Sequence, residues 1–109
     1  MNITTYNKLV RDKIPEIIES NGEIPEVEVM DDFTYSKKLD EKLLEECKEL
    51  ISTFDKNSRI EEMADVLEVL HAMADVLGIQ MSEVEEARII KKEKRGAFKE
   101  KLLLKKTTR

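Results

Sequence analysis

Two pairs of carboxylates, each with its members three residues apart, are the side chains of this sequence best suited to do chemistry. Glu46 and Glu49 form the first pair, and Glu62 and Asp65 form the second. Helical side chains at this spacing share a face, with Cβ atoms about 5–6 Å apart, so each pair can share one cation. The chain has one cysteine and one histidine, which leaves oxygen ligands. The sequence therefore predicts a site for Mg²⁺, with Mn²⁺ as the alternative.

The sequence neighbours of these acids favour a cation site over an ordinary charged surface. Glu62 falls in the apolar arc of its predicted helix, where an unpaired carboxylate is costly. Glu49 and Asp65 have no basic residue three or four positions away. Two alternatives stay open, namely an ion pair between Glu62 and Arg59 and a solvated acidic face. Because protein-bound Mg²⁺ usually keeps waters and binds substrate phosphates, the site implies a phosphorylated substrate.

Four helices must position these side chains, and hydrophobic periodicity with cap signals predicts them. They are expected over residues 12–20, about 34–54, 58–77 and 82–95. Capping boxes that begin at Ser58 and Ser82 are expected to open the third and fourth helices. The short break at 55–57 makes the second and third helices antiparallel neighbours, so the two acid pairs can face each other. Residues 24–30 alternate apolar and acidic, which predicts an extended stretch or a short edge strand.

The composition favours one all-α domain over residues 1–109, built as a small four-helix bundle with a basic tail from about residue 97. Only three glycines, two prolines and 5% aromatic residues argue against an all-β fold. The third helix is apolar around most of its circumference, so it must be buried on more than one side. A chain this small cannot supply both sides, and a homodimer or homotetramer is therefore expected.

The net charge of −5 is the sum of an acidic body and a basic end. Residues 1–87 carry 9 basic and 22 acidic side chains, whereas residues 88–109 carry 10 basic and 2 acidic ones. This asymmetry fits a metal-and-phosphate site, a basic arm for nucleic acid, or a solvated tail. No apolar stretch approaches the ~20 residues of a membrane span, and no signal peptide is visible. A soluble cytoplasmic protein without a membrane partner is expected.

The segments LEECKEL and IEEMADVLEVL, which carry the two acid pairs, resemble the E-x-x-E…E-x-x-D signature of the all-α NTP pyrophosphohydrolases. This superfamily includes MazG-like and phosphoribosyl-ATP pyrophosphohydrolase-like proteins, and YNKLVRDKIPEII and KRGAF resemble one subgroup of the latter. The resemblance covers roughly residues 6–98. It implies a helical dimer or tetramer that hydrolyses a nucleoside triphosphate to the monophosphate and pyrophosphate, as in nucleotide-pool house-cleaning. It also implies that Mg²⁺ is held by Glu46, Glu49, Glu62 and Asp65.

Roles for further residues follow from the implied reaction. A carboxylate that is not consumed in ligation can orient the attacking water or take its proton, and Glu46 and Glu49 are both candidates. Glu45 extends the first pair to E-E-x-x-E and can assist. Basic residues near the chain ends are expected to bind the substrate's phosphates: Lys8, Arg11, Lys13, Lys94 and Arg95. For those in the last helical turns, the alternative is a favourable interaction with the helix dipole.

Two other functions compete with this interpretation. Phosphoribosyl-ATP itself is the nearer alternative substrate, although the KLVRDKIP segment points away from a dedicated enzyme of histidine biosynthesis. The alternative of another class is a non-catalytic helical oligomerisation module whose basic tail binds nucleic acid. The hydrolase interpretation expects a nucleotide as the ligand and no nucleic-acid partner.

Overall fold

Four α-helices form all the regular secondary structure of the computed structural model, which describes residues 2–109. They are α1 (Ile14–Ser20), α2 (Asp32–Ser52), α3 (Lys56–Leu77) and α4 (Met81–Arg95). The predicted all-α four-helix architecture is thereby confirmed. Residues 24–30 are irregular, so the edge-strand option is wrong, since a strand needs a neighbour to pair with. No residue within 2–109 forms a strand with which they could pair.

Aspartate caps, and not the predicted serine, begin the two long helices. The carboxylates of Asp31 and Asp55 accept hydrogen bonds from the backbone N–H groups of Thr34 and Ser58. An ionised cap makes a stronger hydrogen bond than a hydroxyl, so α3 begins before the capping box predicted at Ser58. The same hydrogen bonds lower the pKa of both aspartates.

The sequence predicts the end of α3 correctly but places the N-terminal cap of α4 two residues too late. Gly78 adopts φ +70°, a left-handed conformation that suits glycine, and α3 ends at Leu77 as predicted. The capping box of α4 is real but lies two residues earlier than predicted, between Gln80 and Glu83. A single residue, Ile79, therefore separates the glycine from the next cap.

The packing of α2 against α3 forms the small core of the chain. Leu39 of α2 and Val69 and Ala74 of α3 are the buried apolar residues. The connection between the helices is only residues 53–55, which makes them antiparallel. Within residues 2–109 this is the only extensive helix–helix contact. The two helices that carry the acid pairs are therefore neighbours, as predicted.

The α4 helix and the tail that follows it make little contact with this hairpin. The radius of gyration is 18.8 Å, whereas a compact domain of this length has about 13 Å. Every residue from Ser82 to Arg109 is exposed, including Phe98 and the three consecutive leucines at 102–104. No helix within residues 2–109 has the length and apolar character needed to cross a membrane.

Candidate metal centre

Three carboxylates meet where α2 faces α3. Glu46 and Glu49 share one face of α2 because they are three residues apart, and Glu62 faces them from α3. One oxygen from each side chain lies within 4.8 Å of the other two. Glu46 is buried, with 7% of its surface exposed, Glu62 is half-buried and Glu49 is exposed. The cluster therefore runs from the edge of the core to solvent.

Two of the oxygens in this cluster have no partner. Glu46 Oε2 and Glu62 Oε2 are buried, and no donor in the described chain hydrogen-bonds to either. A buried acceptor without a donor loses its hydration and gains nothing in return. Anionic oxygens that converge from two helices are the ligands that hard divalent cations take. The donor set of this cluster thus fits a divalent metal ion.

The electrostatics of Glu62 support the same conclusion. Its burial raises the pKa of this carboxyl, and the neighbouring carboxylates of Glu49, Asp65 and Glu46 raise it further. Arg59 was the candidate partner from the sequence, but its guanidinium instead donates a hydrogen bond to the Thr53 carbonyl at 2.8 Å. The alternative of a local ion pair for Glu62 is therefore wrong.

One lysine on α2 partly neutralises the cluster. Lys42 Nζ lies 3.4 Å from Glu46 Oε1 and 3.5 Å from Glu45 Oε2. Its side chain is only 23% exposed, so it is held close to the buried carboxylate. Glu46 lies four residues after Lys42 on α2 and Glu45 lies three residues after it, so both carboxylates are within reach of the one ammonium group.

Asp65, the fourth predicted metal ligand, is not among the three converging carboxylates. Its Oδ1 lies 2.7 Å from Arg11 Nη2, in an ion pair that joins the N-terminal segment to α3. The structure thus brings together three of the four acids and gives the fourth an arginine as its partner. The four were expected to surround one cation, and the difference arises because a cation from outside the hairpin reaches Asp65.

The N-terminal arm, defined here as residues 6–13, makes this contact and two others. Lys8 Nζ lies 3.0 Å from Glu45 Oε1, and this hydrogen bond raises the pKa of Lys8 and lowers that of Glu45. Lys38 Nζ donates to the Asn7 carbonyl at 3.3 Å. Two of the predicted phosphate ligands therefore lie beside the acids.

The other predicted phosphate ligands form no ion pair with the acids within residues 2–109. Lys13 is the exposed N-cap residue of α1. Lys94 and Arg95 are exposed in the last turn of α4 and make no ion pair within residues 2–109. Their placement at a helix C-terminus is the one that the helix dipole favours.

Comparison with known families adds an independent result. The sequence profile described as phosphoribosyl-ATP pyrophosphohydrolase matches residues 7–92, which include all but the first residue of the arm, both acid pairs and most of α4. No curated protein and no solved structure gave a significant match. The chain therefore belongs to the phosphoribosyl-ATP pyrophosphohydrolase family, whose members hydrolyse a phosphoanhydride bond.

Proposed function

We propose that the chain is a Mg²⁺-dependent pyrophosphohydrolase of nucleoside 5′-triphosphates. Water adds across the α–β phosphoanhydride bond, so that a nucleoside monophosphate and pyrophosphate are released. The observation that carries the proposal is the pair of buried, unpartnered carboxylate oxygens of Glu46 and Glu62 beside the carboxylate of Glu49. Such a site needs a cation, and Mg²⁺ characteristically brings a phosphorylated substrate with it.

The surroundings of each acid in the hairpin determine its role in the proposed reaction. Glu46 and Glu62 would hold the cation with their unpartnered oxygens, and Asp65 would complete the set when it is free of Arg11. A bound Mg²⁺ supplies charge neutralisation at the phosphate oxygens and a water of lowered pKa. Glu49 would orient the attacking water and take its proton, because it is the solvent-facing member of the cluster. Glu46 is the second candidate for this role, but Lys42 already engages its other oxygen.

Lys8 and Arg11 bind the phosphate chain in this proposal, since they are the basic residues that lie beside the acids. A guanidinium can bind two phosphate oxygens at once, which makes Arg11 the stronger ligand. Phosphate binding by Lys13, Lys94 and Arg95 stays a prediction. For the last two, it requires that a second copy bring the end of α4 to the acids.

Two classes of substrate, which differ in their base and sugar, fit the proposal. Standard or modified nucleoside triphosphates are one, and phosphoribosyl-ATP is the other, which the family description favours by name. Both carry the 5′-triphosphate that the site is suited to cleave. The family match argues against the non-catalytic oligomerisation module.

The test is pyrophosphate release from a panel of nucleoside triphosphates and from phosphoribosyl-ATP, measured with Mg²⁺ and with EDTA. Glu62→Gln keeps the shape of the side chain but removes a ligand charge. Loss of a supporting residue of a metal site costs about 10–100-fold, so loss of a ligand should cost at least about 100-fold. Glu61→Gln is the matched control, because Glu61 is the exposed neighbour outside the cluster. Equal rates for the wild type and Glu62→Gln would refute the proposal.

We also propose that the chain assembles as a homodimer or homotetramer. Its accessible surface is 10534 Å², whereas a folded monomer of 12.7 kDa exposes about 6,200 Å². An apolar groove on the hairpin offers an interface for a second copy, and it is lined by Leu50, Met63, Ala64, Val66, Leu67 and Leu70. Light scattering should give a multiple of 12.7 kDa, and Met63→Glu should shift the mass towards the monomer. A cytoplasmic location stays a prediction.

A further inference from the structure

The N-terminal arm places two cations on the carboxylates that flank the proposed metal site. Arg11 pairs with Asp65 on α3 at 2.7 Å, and Lys8 pairs with Glu45 on α2 at 3.0 Å. The arm thus contacts both of the helices that carry Glu46, Glu49 and Glu62. Lys8 also feels the charges of Glu49 and Glu46, which help to raise its pKa. The two cations therefore act on the cluster as a whole.

These ion pairs are of the kind that exchanges readily. The side chains of Arg11 and Asp65 are 57% and 38% exposed, and those of Lys8 and Glu45 are 55% and 28% exposed. Water and salt weaken such pairs, and their net contribution is small. Neither cation reaches the unpartnered oxygens of Glu46 and Glu62. The arm therefore reduces the negative charge around the site but leaves the two buried oxygens without a hydrogen-bond partner.

We propose that Arg11 and Lys8 are exchangeable ligands that compete with the divalent cation for the site's carboxylates and then bind the substrate's phosphates. The inference rests on the proposed function and adds how metal binding and phosphate recognition are coupled. Asp65 cannot ligate a cation fully while Arg11 holds its Oδ1. Once Asp65 has turned to the cation, the freed guanidinium faces the same region, where phosphate oxygens offer it a bidentate partner.

The anchoring of the arm keeps these cations near the site after they leave the carboxylates. The Asn7 carbonyl accepts a hydrogen bond from Lys38 of α2, and the side chain of Leu9 is half-buried. On the other side of Arg11, α1 begins at Ile14. The exchange therefore requires only side-chain rotation, since an arginine or lysine can move its terminal group by several ångströms while the backbone stays in place.

The first experiment measures binding and not turnover. The EDTA-treated full chain is titrated with MnCl₂ by calorimetry, and the Mn²⁺-loaded chain is then titrated with inorganic pyrophosphate. Arg11→Gln should bind Mn²⁺ about two- to fivefold more tightly, as expected for the loss of an exposed competing cation. The same variant should bind pyrophosphate at least about tenfold more weakly. A residue with a merely structural role would weaken both.

Two further variants keep the result interpretable. Arg88→Gln is the matched control, because Arg88 is also 57% exposed and also pairs with a carboxylate, that of Glu85 on α4. It should change neither affinity. Arg11→Lys keeps the charge but loses the bidentate fork. It should bind Mn²⁺ like the wild type and pyrophosphate several-fold more weakly.

Proteolysis reports the release of the arm directly. Trypsin cleaves after Lys8, and the bond after Lys105 in the exposed tail is the internal reference. MnCl₂ alone should speed cleavage after Lys8 relative to this reference, because the ion pair with Glu45 is weakened. MnCl₂ with pyrophosphate should slow it again.

The outcomes separate this inference from the proposed function. If Arg11→Gln binds Mn²⁺ no more tightly than the wild type, or if MnCl₂ protects the bond after Lys8, the exchange does not occur, even in an active enzyme. If Glu62→Gln retains full pyrophosphate release, the proposed function fails whatever the arm does.

Discussion

The hairpin with its N-terminal arm and the α4 helix with its tail contain the same types of residue and use them differently. In the first region, α2 packs on α3, and Lys8 and Arg11 pair with acids more than 30 residues away. In the second, every residue from Ser82 to Arg109 is exposed, and the ion pair of Glu85 with Arg88 is local. Charge alone does not place a residue in a site. Packing does so, by fixing the backbone that carries it.

This difference separates basic residues that look equivalent in the sequence. The Lys38–Asn7 hydrogen bond anchors the arm to α2, and Lys8 and Arg11 are held beside carboxylates. No comparable anchor fixes α4 against the hairpin within residues 2–109. Arg95 can therefore reach the acids only if a second copy of the chain docks α4 there.

The largest expected effect compares one arginine from each region. Arg11→Gln should lower kcat/KM for the preferred triphosphate about 10–100-fold, as expected for a lost hydrogen bond between charged groups. Arg95→Gln should lower it less than about threefold, because dipole and surface interactions of an exposed cation are weak. Steady-state pyrophosphate release measures both.

One outcome would contradict this contrast between the two regions. If Arg95→Gln costs as much as Arg11→Gln, then α4 enters the site of a partner chain, and the exposed end of this helix is a functional surface. Light scattering of both variants is the control, because a change of assembly would lower activity without any contact to substrate.

Local signals allowed the sequence to predict most of the fold. The period of apolar residues placed all four helices, and Gly78 marked the end of α3. The errors lie at the helix starts, where Asp55 outcompetes Ser58 and Gln80 precedes Ser82 as the cap. Several polar residues adjoin each start, and the sequence does not show which of them takes the cap position.

The site was predictable where it depends on spacing within a helix. Glu46 and Glu49 share a face by geometry, and the short connection to α3 brings Glu62 to them. The pairing of Arg11 with Asp65 was not predictable, because 54 residues separate the two and no local pattern links them. Long-range ion pairs depend on the tertiary path of the chain, which periodicity does not encode.

The second prediction, of a smaller effect, compares the N-terminal caps of α3 and α4. Asp55→Ala removes the carboxylate that accepts the Ser58 N–H at the start of α3. The thermal midpoint should fall by roughly 4–8 °C, because this helix carries the core. Glu83→Ala removes the carboxylate that accepts the Gln80 backbone N–H at the start of α4 and should change the midpoint by less than about 2 °C, since α4 adds little packing. Calorimetry of both variants tests this, and equal losses would show that α4 is packed in solution.

The smallest predicted effect is on the pH dependence of stability, and it has opposite signs for Glu62 and Glu85. Thermal midpoints measured in EDTA report it. Burial raises the pKa of Glu62, whereas the Arg88 hydrogen bond lowers that of Glu85. Between its unfolded and folded pKa values, Glu62 binds more protons in the folded chain, so stability falls as the pH rises through that window. Glu62→Gln should therefore raise the midpoint at pH 7.

The gain from Glu62→Gln should vanish as the pH falls below about 4.3, the ordinary glutamate value, where the wild-type carboxyl is protonated in both states. Glu85→Gln should do the reverse. Its folded pKa is lowered, so the stability that it contributes is present at neutral pH and is lost as the pH falls through the folded value. That loss is small, because both side chains are more than half exposed. A midpoint that falls in Glu62→Gln at pH 7 would mean that the ionised carboxylate stabilises the chain without a cation. The unpartnered oxygen would then have a donor in the assembled protein.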